Sequence, residues 1–138
     1  MVQVPLTFYM KLATLPLPGV RHTIDPRDLS CLATSRSFAN TIFYLSVLRD
    51  ARVLAGDSRV SDRQTHLAEG WTFFEAIRPQ VAAASPEAAA LVEEAFTRSA
   101  EEAFPADLTE DVYAALNEPA VLEALGIPEK FQFTSPAQ

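Results

Sequence analysis

Little in this 138-residue chain can staple it, span a membrane with it or arm it for catalysis. There is one cysteine, Cys31, so no disulfide can close within the chain, and a reducing compartment fits that count. Cys31 lies in an apolar segment, which favours a buried, inert thiol over a nucleophile or a metal ligand. Four glycines, at 19, 56, 70 and 126, are too scattered for a loop that cradles phosphate. With two histidines, neither preceded three residues earlier by glutamate, a carboxylate-bridged di-iron bundle is excluded. The most apolar run is well short of the roughly 20 residues that cross a bilayer. No basic region, apolar stretch and small-residue cleavage site follow one another at the N-terminus. The expectation is a cytoplasmic protein.

What is present suits a packed globule. Hydrophobic residues make up 49% and charged residues 21%, an ordinary balance that argues against global disorder. The length fits one domain with a core of its own. Phe38-Ala39-Asn40-Thr41-Ile42-Phe43-Tyr44-Leu45-Ser46-Val47-Leu48 is the densest apolar run and carries no charge. Residues 1–56 hold six Lys/Arg and three Asp/Glu, net +3, whereas residues 57–138 hold five and fifteen, net −10. An acidic second half argues against nucleic acid, because phosphate neutralisation needs clustered Lys and Arg. It reads as a solvated surface, or as one shaped for a basic partner.

Along the chain, Val2, Val4, Leu6, Phe8, Met10 and Leu12 alternate with Gln3, Pro5, Thr7, Tyr9 and Lys11, the period of an extended segment with one buried face. Pro5 confines such a strand to an edge. The only alternation it could pair with is Phe131-Gln132-Phe133. Either the two ends form a small ribbon, or an arm lies on another protein. Leu15–Gly19 is a connector. Asp25 and Pro26 open a first helix that nothing breaks before Gly56, with a bend or division expected near Thr34–Ser37. Phe38, Ile42, Leu45 and Leu48 form one stripe on it, and Phe43, Val47, Ala51 and Leu54 a second, a face wide enough for several neighbours.

Ser61-Asp62-Arg63-Gln64 reads as a capping box for a helix through Leu67, Trp71, Phe74 and Ile77, bent or ended at Pro79. Gly70 permits a close helix contact. Ser85-Pro86-Glu87 restarts a helix that carries Leu91, Val92, Phe96 and Ala103 inward and closes at Pro105. Thr109 caps a short helix with Val112, Tyr113 and Leu116. Glu118-Pro119 opens the last, which stops at Gly126-Ile127-Pro128 as in a Schellman motif.

Chemistry-bearing residues are few. His66 and Glu69, three apart on a helix, can share a metal, but two ligands are not a site. His22 near Asp25 suggests a general base, yet no nucleophile motif adjoins it. No catalytic residue, metal ligand or cofactor is assigned. Leu17-Pro18-Gly19-Val20-Arg21 ahead of a long helix, with Leu108-Thr109 opening a later one, resembles the small helical subunit of two-subunit extradiol ring-cleavage dioxygenases. That resemblance implies a helical subunit that helps close a site whose metal belongs to a larger partner.

The expected fold is all-α: an irregular bundle of four to five helices around a central helix at about 38–55. An extended, proline-containing arm (1–22) precedes the helical domain (23–128), and an irregular tail (129–138) follows it. The expected function is a non-catalytic accessory or interaction subunit of a larger assembly, or a self-associating one. Val2, Val4, Leu6, Phe8, Phe131 and Phe133 are the contact residues. The alternative is a helical binder of an apolar or aromatic small molecule, with Phe38, Phe43, Trp71, Phe74 and Phe96 lining the pocket.

Overall fold

A computed structural model describes the backbone of residues 26–137 and the side chains of residues 35–137. The arm and the Asp25 cap lie outside these residues. The described residues are all-helical, with five helices packed against one another: α1 Pro26–Gly56, α2 Val60–Ala84, α3 Pro86–Phe96, α4 Ala106–Leu116 and α5 Pro119–Leu125. A single 3-10 turn, Glu129–Phe131, follows.

Helix α1 runs unbroken through Thr34–Ser37 for 31 residues. Its buried line is Tyr44, Val47, Leu48, Ala51 and Leu54, at helical spacing. That line lies between the two expected stripes and takes members of each. It packs against α2 along its length and is also touched by α4 and α5. Phe38 and Ile42, expected to share this face, are instead 68% and 46% exposed. The end of α5 reaches Asn40, whose Nδ2 donates to the Leu125 carbonyl at 3.1 Å, and stops short of covering them.

Helix α2 passes through Pro79 and ends only at Ala84. Proline there removes one backbone donor without breaking a helix already held by packing on both sides. Its start differs from the expected capping box: Arg59 is the cap residue and no side chain caps it. Buried Phe74, Ile77 and Val81 face α1 and α5, and Gly70 admits α3. A Cβ at Gly70 would lie 2.0 Å from Phe96 Cε1, so the glycine is what lets that ring in.

Ser85 caps α3 as expected, accepting from Ala88 N at 3.2 Å with Pro86 in the first turn. The helix ends at Phe96, well before Pro105, and Ala103 is exposed rather than inward. Polar side chains hold the turn that follows. Thr97 Oγ1 donates to the Glu93 carbonyl, Ser99 Oγ accepts from Glu101 N, and the Arg63 guanidinium takes the Ala100 carbonyl. Thr109 is not a cap either. Helix α4 begins at Ala106, and buried Thr109 donates to the Ala51 carbonyl at 2.8 Å, tying α4 to α1. Gly126 ends α5 at φ +67°, and Ile127 N donates to the Leu122 carbonyl at 3.0 Å, the Schellman geometry.

The tail is fixed by side chains. Tyr44 Oη donates to Asn117 Oδ1 at 2.7 Å and accepts from Phe133 N at 3.2 Å. Asn117 Nδ2 donates to the Phe133 carbonyl at 2.8 Å.

Candidate functional site

Two places stand out. The first is a polar cluster where the C-terminal part of α1 meets the start of α2. Asp50 comes from α1, and His66 and Glu69 come from adjacent turns of α2. One ligand-type atom from each lies within 4.8 Å of the other two. Asp50 is only 1% exposed, and neither carboxylate oxygen has a hydrogen-bond partner among the described residues. Burial pushes its carboxyl up to about 6, with the neighbouring Glu69 charge adding to the rise; His66 and Arg49 pull the other way.

His66 is held from the opposite side. Its Nδ1 lies 2.7 Å from Asp57 Oδ2, in the loop that joins α1 to α2. An ionised carboxylate only accepts, so Nδ1 carries the proton and Nε2 is the lone-pair nitrogen of the neutral ring. This hydrogen bond is the main reason the imidazole titrates above its ordinary range. The loop itself is anchored by Arg63, whose Nη1 donates to the Asp57 carbonyl at 3.1 Å. Chemically, the cluster offers one oriented imidazole and two carboxylates across a helix pair. The sequence pairs only His66 with Glu69; Asp50, 16 residues before His66, carries no motif that would add it.

The second place is an apolar groove of about 330 Å³ between the first half of α1 and the tail. Phe38, Ile42, Leu45, Pro128 and Phe131 supply its apolar lining, with Lys130 beside them. The Lys130 ammonium sits 5.1 Å from the Phe131 ring centroid. Ser37 Oγ donates to the Gly126 carbonyl, which closes the groove at the end of α5.

Of the expected contact residues, Val2, Val4, Leu6 and Phe8 lie outside the described residues. Phe131 and Phe133 are exposed, at 37% and 39%. The aromatic set named for a small-molecule pocket is dispersed. Phe38 forms part of the groove, and Phe43 meets Phe73 at 6.4 Å between centroids. Trp71 meets Phe74 at 6.3 Å, and Phe96 fills the space over Gly70.

Among the described residues no helix is long and apolar enough to cross a membrane. Family models, curated proteins and solved structures give no match to this chain. The resemblance to a dioxygenase small subunit therefore rests on the quoted residues alone.

Proposed function

We propose that this chain is a cytoplasmic, non-catalytic accessory subunit that receives an apolar segment of a protein partner in the groove of Phe38, Ile42 and Phe131. The observation that carries the reading is the exposure of Phe38 and Ile42 on an otherwise core-forming helix. Two large apolar side chains in adjacent turns, opposite a third on the tail, form a contiguous patch rather than scattered exposure. The charge at its edge indicates the partner's chemistry. Lys130 has no carboxylate against it among the described residues, on a chain of net charge −7. An apolar segment bearing an Asp or Glu complements both features.

Site-specific photocrosslinking in the native host tests this. A benzoylphenylalanine at position 38 or 42 is expected to give one discrete heterologous adduct, whose crosslinked peptide is apolar with an acidic residue. Lys130→Glu is expected to reduce its yield several-fold, and the same probe at exposed Glu110 on α4 should give none. Crosslinks confined to residues 1–25 of the same chain, or to a second copy, would overturn the reading.

A further inference from the structure

The geometry points to Asp50, His66 and Glu69 as a binding site for a divalent first-row transition-metal ion, with Zn²⁺ the best match. This goes beyond the docking reading and is independent of it.

Three observations converge. First, the three donors come from two helices and already lie within 4.8 Å of one another. Donors bound to zinc at about 2.0–2.2 Å sit roughly 3–3.5 Å apart, so small side-chain rotations suffice to close the set. Second, Asp50 is buried with both oxygens unpartnered and one of them next to the other two donors. A buried polar group without a partner calls for an explanation, and a dication supplies one. Together with the Glu69 carboxylate it would leave the cluster neutral. Third, the Asp57–His66 hydrogen bond is the carboxylate–histidine arrangement that fixes a metal-binding imidazole. It holds the proton on Nδ1 and leaves Nε2 as the ligand.

The donor set narrows the ion. An imidazole disfavours Mg²⁺ and Ca²⁺, which take oxygen ligands, and the carboxylates disfavour Cu⁺. Among the divalent ions that accept both donors, Zn²⁺ binds more tightly than Mn²⁺ or Fe²⁺ and, unlike the tighter-binding Cu²⁺, imposes no tetragonal geometry on three donors. The His66 side chain is 21% exposed, so an ion reaches the cluster from solvent and keeps water in its remaining positions.

Untagged protein, stripped with EDTA, is titrated with ZnCl₂ by calorimetry at pH 7.5. One ion per chain is expected. Affinity should fall at least about 100-fold in Asp50→Asn and in His66→Gln, and about 10-fold or more in Asp57→Asn. A His22→Ala/Cys31→Ser control, which removes the other imidazole and the thiol, should bind as the parent does. Loading with Co²⁺ should give visible d–d absorption that the same ligand variants lose. Circular dichroism of each metal-free variant separates lost ligation from lost folding. Glu69→Gln, at a half-buried position, gives a second ligand deletion if Asp50→Asn unfolds. No stoichiometric binding, binding unchanged when Asp50 or Glu69 is neutralised, or binding abolished by the control variant would each overturn the site.

Discussion

Arg63 and Asp50 are buried to similar degrees, 6% and 1% exposed, yet their surroundings differ completely. The Arg63 guanidinium is surrounded by acceptors: the carbonyls of Ala100 at 2.7 Å, Asp57 at 3.1 Å and Glu101 at 3.5 Å. It joins the α1–α2 loop to the turn after α3 and uses the planar fork that only arginine offers. Asp50 has no hydrogen-bond donor among the described residues. One charge is integrated into the backbone and defines a corner of the fold. The other is buried without hydrogen bonds, and burial raises its carboxyl to about 6, so protonation relieves it as an added cation would. Buried charge alone does not distinguish structure from function; the completeness of its hydrogen bonding does.

The largest effect is expected at the satisfied charge. Arg63→Met keeps the apolar stem and strands the three carbonyls, which should lower stability by about 3–5 kcal/mol. Urea unfolding at pH 7 measures it. A loss below about 1 kcal/mol would mean that water replaces the guanidinium and that the corner is not built by Arg63.

Asp50→Asn is expected to act in the opposite direction. The Asp50 carboxyl titrates at about 6 in the fold, against 3.8 when unperturbed, so the folded state holds its proton more tightly. Below the unfolded value both states are protonated and the residue is neutral in effect. As pH rises from about 4 to about 6 the unfolded chain ionises while the folded state keeps its proton, so stability falls over that window and levels off above it. A shift of about two pH units amounts to roughly 3 kcal/mol at most. In EDTA, Asp50→Asn should therefore match the parent near pH 4 and exceed it at pH 8 by about 2–3 kcal/mol. Added Zn²⁺ should reverse the order by stabilising the parent alone. Parallel pH profiles for parent and variant would show that Asp50 finds a partner in solution.

The fold was more legible in the sequence than the site was. The starts at Ser85-Pro86 and Pro119 and the stops at Gly56 and Gly126 are readable because their backbone chemistry is local, whereas Pro79 and Pro105 mark no helix end. Phe38 and Ile42 share a stripe with buried Leu48 yet are exposed, because periodicity defines a face but not where its neighbours end. Thr109 departs from its expected cap role for a related reason: a hydroxyl near a helix start has the same sequence signature whether it bonds its own turn or the Ala51 carbonyl. The carboxylate–histidine cluster was half visible. His66 and Glu69 share a helix, and their spacing is a sequence fact. Asp50 joins them only through the packing of α1 on α2, and between Arg49 and Arg52 it has the sequence surroundings of a solvated helix face although it is buried.

Asp57 offers the smallest effect and the sharpest separation, since its carbonyl serves Arg63 and its carboxylate serves His66. Asp57→Asn removes the second and leaves the first. The imidazole titrates above its ordinary range mainly because of this carboxylate. Its stabilisation is therefore fully present below the unfolded value near 6.5 and is lost as pH rises through the higher folded value. The variant should cost about 1 kcal/mol at pH 5 and little at pH 9. In an NMR titration the His66 ring should fall back towards the ordinary histidine range. A cost equally large at pH 9 would place the effect in the loop that Arg63 holds, and the two buried charges would then form one structural unit rather than two.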